Sequence, residues 1–357
     1  MHSRIQNHHR HRVRIGRVVL CAVVGAAVPW LGQAQTPAGQ AGAERVVVRL
    51  TDVSINKVPY IVAKEEGIFA KHGLDADLYI TAGAAQTVRA SGVNVPAQYV
   101  RPDEGEADIS TGGGSPTIVA RTTNVRERDR VILATTDHIV RWHVFAKPEI
   151  TKLEQLKGKR LGVSGYGSCS GFIGRLIAQK MGWNPEQDLS ILYGSLGVKW
   201  LQDGVVDAVV LDETPFAYAR EVGLKPLVDL REWNAPIACS GVSATRSWLS
   251  QGNNRDRAKR FLMALVESIA LMKKDQAVVN RAIAKWYGVT DRQRQQLMWE
   301  GAKEMPAKPY PAVDGIKKVM ELFNYHEMRL HKAEDFYDDT LMREIAKSGF
   351  IDALYKK

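Results

Sequence analysis

The chain has 357 residues, 45% hydrophobic and 25% charged, a balance that excludes a disordered or collagen-like chain and a polytopic membrane protein; its length gives a prior of about two domains. The formal net charge of +10, taken alone, points to nucleic acid or a membrane surface. Five arginines, Arg4, Arg10, Arg12, Arg14 and Arg17, fall in the first 34 residues beside no acid, so 44 of the 49 basic residues remain against all 39 acidic ones. Those 44 are scattered, which removes the nucleic-acid reading.

Residues 1–17 are basic, 18–31 form an apolar run, and Gly32-Gln-Ala34 offers small residues for cleavage. This three-part pattern predicts a signal peptide over 1–34, followed by a flexible lead-in over 35–44. The apolar run is too short to span a bilayer, which takes roughly 20 residues. Cys21 follows Leu20 and lacks the small preceding residue of a lipoprotein cysteine. Cys169 and Cys239 remain, and their spacing leaves one disulfide and two free thiols equally open.

From residue 45 the pattern alternates. Strands are predicted at 45–51, 74–81, 107–110 and 131–135, with helices at 57–71, 83–90 and from Gly112-Gly-Gly-Ser-Pro116 to about 122. Residues 91–106 are rich in Pro, Gly and acids and predict a loop. A further strand is predicted at 143–147, and after Pro148 a second series gives strands at 160–164, 189–193, 206–211 and 224–230, with helices at 153–156, 168–181, 195–202 and 214–222. Such βαβα order implies parallel sheets covered by helices. Beyond Asn254 the chain is helical: Phe261, Leu265, Ile269 and Met272 form an amphipathic stripe, and helices follow at 275–287, 290–304, 312–324 and 340–347.

Ligands of open α/β sheets bind beyond the carboxyl ends of the strands. That rule selects Ser54 and Asn56, Gly83, Gly112 to Pro116, Ser164 to Ser168, and Asp212 to Pro215. Two helix N-termini, one per half, could together grip an anion; the plainer reading of each is an N-cap or a tight turn. Gly165-Tyr-Gly-Ser-Cys-Ser-Gly171 is neither a Walker loop nor a dinucleotide fingerprint. As a nucleophile elbow it would hold Cys169 five residues past the strand end, with only His326 or His331 as a base. His138 and His143, five apart, would fall on opposite faces of a strand, and no metal is expected.

Val58-Pro-Tyr-Ile-Val-Ala-Lys-Glu-Glu-Gly-Ile-Phe-Ala-Lys-His-Gly-Leu-Asp-Ala-Asp-Leu78 resembles the opening signature of the nitrate/sulfonate/taurine-type periplasmic binding proteins, a family shared with thiamine-precursor binders. Phe145 to Val163, Leu201 to Val210 and Asp335-Phe-Tyr-Asp338 are similar to later segments of that family, and the resemblance runs from about residue 46 to 350. It implies an α/β, type II periplasmic binding protein fold: two lobes with mixed, mostly parallel sheets and an interlobe cleft. Lobe one would comprise 45–138 and 240–357 with the C-terminal helices, and lobe two 142–234, with crossings near 137–143 and 232–242.

The resemblance also implies a periplasmic, monomeric solute-binding component of an ABC importer, without cofactor or catalysis. Lobe closure would capture a small organic anion, a heteroaromatic or a sulfonate-type ligand, and the partners would be a membrane permease and its ATPase. The family's ligand contacts map onto Ser54, Asn56, Gly83, Ala84, Gly114, Ser115, Gly167, Ser168, Asp212, Glu213 and Thr214. Asp212 and Glu213 at the lip would repel a sulfonate and favour an amine, an amidine or a hydroxyl, a balance that His138 and Arg141 could reverse. Trp142, Tyr166 and Trp233 could form an aromatic slot. The chain departs from the family at 90–106, which is longer and richer in proline and acid. The alternatives are an enzyme on the same bilobed scaffold, decarboxylase-like or pyrimidine-synthesising, and the ligand-capture subunit of a sensor.

Overall fold

Val46, Val48 and Leu50 alternate with more exposed neighbours and bury one face of β1 (Glu44–Leu50) in a computed structural model that describes residues 42–194 and 197–356. The expected signal segment, and the lead-in as far as residue 41, lie outside the described residues. The same alternation builds β2 (Leu74–Thr81), which pairs in parallel with β1, Val48 opposite Leu78. Between them, the expected 57–71 helix is interrupted at Gly67, where φ is +70°, and becomes Val58–Glu65 and Ile68–Lys71.

The first sheet continues with β3 (Val100–Arg101), β4 (Ile109–Ser110) and β5 (Arg130–Thr135). The second holds β6 (His143–Ala146), β7 (Arg160–Val163), β8 (Ser190–Tyr193), β9 (Ala208–Leu211) and β10 (Pro226–Asp229). The chain then returns to the first sheet as β11 (Gly241–Thr245). The strand orders are β3-β2-β1-β4-β11-β5 and β10-β6-β9-β7-β8. Only β11 in the first sheet and β6 in the second run against their neighbours. Each is the first strand after a crossing. The crossing chain arrives at the carboxyl ends of the other strands, so its first strand must run backwards: His143 opens β6 opposite Leu211, the last residue of β9, and Gly241 opens β11 opposite Thr135, the last of β5. The mixed, mostly parallel character of both sheets follows.

The two crossings pair with each other. Thr136 N–H donates to Ser240 O (2.8 Å), Ile237 N–H to His138 O (3.0 Å) and Val140 N–H to Ala235 O (2.9 Å). The buried Asp137 carboxylate accepts from the backbone N–H groups of Cys239 and Ser240 at 3.1 and 3.2 Å.

Three features differ from the sequence expectation. The 91–106 segment is not wholly loop, because Val100–Arg101 adds an edge strand beside Ile80 and Thr81. Gly241–Thr245 is a strand that its small residues did not signal. The C-terminal helices do not all serve the first sheet. The Asn254–Lys274 helix buries Phe261, Leu265, Ile269 and Met272 against the Val58–Glu65 helix, as its stripe requires. The Val313–Leu322 helix instead packs on Cys169–Lys180 and Ser115–Thr123, one helix from each half, in a core that joins Ile118 and Val119 to Phe172, Ile316 and Val319. Among the described residues no helix is long and apolar enough to cross a membrane.

Candidate functional site

The carboxyl ends of the two sheets face each other across a cavity of about 800 Å³, within the range of small-molecule sites. From the first sheet its wall receives Asp52, Ser54 and Asn56 after β1, and Gly83 and Ala84 after β2. From the second it receives Tyr166, Gly167 and Ser168 after β7, and Asp212 after β9. Trp142 and Ser240 enter from the two crossings. Twelve of the residues selected from the sequence are thus brought together: Ser54, Asn56, Gly83, Ala84, Pro116, Trp142, Ser164, Tyr166, Gly167, Ser168, Asp212 and Pro215.

The others lie elsewhere. Ser115 is fully buried, its hydroxyl donating to Gly167 O (3.0 Å) and its N–H to Ala238 O (2.6 Å). It fastens the two halves together beneath the cavity wall. Gly114 backs directly onto the same Ala238 carbonyl. Thr214 is buried, with a hydroxyl that has no partner. His138, Arg141 and Glu213 line a second cavity, against the Arg292–Lys303 helix. There Arg141 Nη1 donates to Gly301 O (3.1 Å), Arg141 Nε lies 3.8 Å from Glu213 Oε1, and His138 Nε2 is 2.9 Å from Tyr310 O. Trp233 lies under the Lys180 ammonium, 5.9 Å from the ring centre, outside the cavity lining.

Several wall residues were not singled out from the sequence. Asp52 follows β1 directly; its Oδ1 accepts from the Ser54 hydroxyl (2.6 Å), and its Oδ2 is 2.6 Å from the ammonium of Lys57. Lys57 is wholly buried and also donates to Ser240 Oγ (3.3 Å), linking the first lobe to the returning crossing. Asp103 arrives from the acid-rich 91–106 segment, the place where the sequence departs from the family pattern, and its Oδ1 accepts from Gly83 N–H (2.9 Å). A Cβ on residue 83 would sit 2.7 Å from the Asp103 carboxylate and would push that side chain off the Gly83 N–H.

Part of each helix N-terminus is therefore already occupied. Gly83 N–H is taken by Asp103 and Ala84 N–H by the Thr81 hydroxyl (3.4 Å). Gly171 N–H is taken by Ser168 Oγ (3.0 Å) and Thr214 N–H by Asp212 Oδ1 (3.0 Å). Each is an N-cap built from the chain's own side chains. Burial, with Glu213 and Asp52 close by, pushes the Asp212 carboxyl well above the usual carboxylate range.

Cys169 also lines the cavity, beside the buried Cys239, and both thiols are free. Burial pushes both up, so neither is a ready thiolate. No histidine lines the cavity among the described residues, and none of their His, Cys, Asp or Glu side chains group to hold a metal ion. Iodoacetamide at neutral pH should therefore alkylate Cys169 far more slowly than a free thiol and leave Cys239 untouched until the protein unfolds. Peptide mass spectrometry checks this, and rapid native labelling of both would contradict the buried thiol pair.

The architecture is that of the periplasmic binding proteins. It is similar to the nitrate-binding protein NrtA of Synechocystis PCC 6803 (TM-score 0.64, 12% identity, covering 86% of this chain and 89% of that one). It is also similar to the aliphatic sulphonate-binding protein SsuA of Escherichia coli (TM-score 0.55, 16% identity, covering 84% and 91%). The desulfurization enzyme DszB shares the fold as well (TM-score 0.56, 15% identity, covering 84% and 99%). No curated protein matches the sequence significantly. Residues 54–277 match the model of the NMT1/THI5-like family, and the chain belongs to that family.

Proposed function

We propose that the protein is the periplasmic solute-binding component of an ABC importer, exported with loss of its leader and acting as a monomer that delivers a small molecule to a membrane permease and its ATPase. The observation that carries this reading is the cavity between the carboxyl ends of two sheets, spanned by two adjacent crossings about which the halves can close. NrtA and SsuA are named as binding proteins, and their likeness to this chain supports the reading. DszB raises the alternative of an enzyme on the same scaffold. The raised Cys169 thiol, with no histidine lining the cavity among the described residues, favours binding over nucleophilic catalysis.

Native mass spectrometry of the gently purified mature chain tests the reading. A retained small molecule, released unchanged on denaturation, is the expected result. Re-addition should stabilise the fold by about 2.7 kcal/mol at 100 times Kd and reduce the radius of gyration. Conversion of the retained molecule into a product would replace the binding reading with the enzymatic one.

A further inference from the structure

Among the described residues, the charged side chains that line the cavity are Asp52, Asp103 and Asp212, and no Lys, Arg or His joins them. The one ammonium close by, Lys57, is buried and already paired with Asp52. The backbone N–H groups of Gly83, Ala84, Gly171 and Thr214 at the helix starts are held by Asp103, Thr81, Ser168 and Asp212. An anionic solute would have to approach beside carboxylates that the chain itself has placed at the positive ends of two helices.

Asn56 supplies a separate indication. It is 7% exposed, it lines the cavity, and its Oδ1 has no donor. That oxygen is itself covered, and a turn of the amide toward an N–H-bearing ligand would recover the free energy that an unmatched acceptor costs. Trp142 and Tyr166 line the same cavity; the Tyr166 ring already carries the Arg175 guanidinium 4.7 Å from its centre, so the Trp142 ring is the aromatic face left to attract a cation by its quadrupole. Asp212, pressed by Glu213 and Asp52, has no cation within ion-pair distance of its own.

We infer that the solute taken by this cleft carries a positive charge on nitrogen, as a protonated amine, an amidine or a cationic heteroaromatic ring. The inference rests on the solute-binding reading and names the charge class of its ligand. The ligand nitrogen would sit against Asp212 and Asp103, with its ring or chain against Trp142 and Tyr166.

Three probes of nearly one shape separate charge from size: benzamidinium, neutral benzamide and benzenesulfonate, titrated calorimetrically into the mature chain. Benzamidinium should bind at least tenfold more tightly than benzamide, and benzenesulfonate most weakly. Asp212→Asn should weaken benzamidinium at least tenfold and leave benzamide within twofold; asparagine also caps a helix, so the fold is retained. Asp103→Asn provides an independent second variant with the same expected direction. Tighter binding of benzenesulfonate, or unchanged benzamidinium affinity in both variants, would overturn the assignment. If none of the three binds, the charge of the solute retained through purification decides: a cation supports the assignment, and an anion, a neutral solute or no solute overturns it. An anion bound and released unchanged would sink the charge class alone, whereas turnover would sink the solute-binding reading beneath it.

Discussion

Gly114→Ala should leave little or no cooperatively folded protein, because it joins a left-handed backbone to a clash with backbone atoms. Gly114 has φ +120°, and a Cβ at that position would lie 2.3 Å from the oxygen and 2.4 Å from the carbon of Ala238, and 2.6 Å from Cys239 N. These are backbone atoms of the returning crossing. They cannot swing aside as a side chain does, and the next residue already pins the same carbonyl through Ser115 N–H at 2.6 Å. The expected cost exceeds about 4 kcal/mol, the range in which a single change unfolds a marginally stable domain. Gly158→Ala is the matched control. It too has a positive φ, +73°, but nothing lies within 4 Å of its Cβ. It should cost only the left-handed penalty of about 1–2 kcal/mol. Circular dichroism melts of the two variants separate conformational strain from close approach. Melting points for the two within a few degrees of each other would show that the crossing can yield.

The same glycine marks the limit of what the sequence discloses. Gly112-Gly-Gly114 is legible as a turn of small residues before a helix, and such a turn suits ligand approach and backbone packing equally well. The structure puts it to packing: Gly113 N–H donates to Gly241 O (3.1 Å), and Gly114 faces Ala238. The partner lies more than 120 residues away in sequence, so no local pattern announces it. β1 and the first half of β2 were legible because alternate residues are buried there and the alternation is printed in the residue order. β11 was not, because Gly-Val-Ser-Ala-Thr is buried by its neighbours rather than by its own hydrophobicity. The binding wall divides in the same manner. The strand-end rule found the turns that carry Ser54, Gly83, Ser168 and Asp212, since it needs only topology. It could not tell that Arg141 and Glu213 turn toward the second cavity, nor that Asp103 reaches back to Gly83. Both depend on which way a side chain leaves a loop.

Asp52→Asn should be the most damaging change in the cleft wall, and for a reason that lies behind the wall. Lys57 is wholly buried, and Asp52 is its countercharge at 2.6 Å. Removing that charge leaves the ammonium with neutral acceptors, the asparagine amide oxygen and the Ser240 hydroxyl at 3.3 Å, and a buried charge robbed of its countercharge costs about 3–5 kcal/mol. The melting temperature should fall by roughly 5–10 °C. Lys57→Met should cost much less. It removes the buried charge itself, replaces it with an apolar chain of similar length, and leaves Asp52, whose side chain is 43% exposed, to be hydrated from the cavity. The double variant should then be more stable than Asp52→Asn alone, and the double-mutant cycle should return a coupling of at least about 1 kcal/mol. Additive losses would mean that the pair acts as two independent surface charges, which the burial of Lys57 forbids. The asymmetry bears on function as well. Because Lys57 serves Asp52 and the returning crossing from beneath, it neutralises one of the three carboxylates lining the cavity. Asp103 is left to set the sign of the cleft, with Asp212 held toward its neutral form until a cation approaches it. Removing the ammonium while keeping Asp52 should therefore make the cleft more negative, and Lys57→Met should tighten benzamidinium binding if the protein folds, a gain that no purely structural role for this lysine would produce.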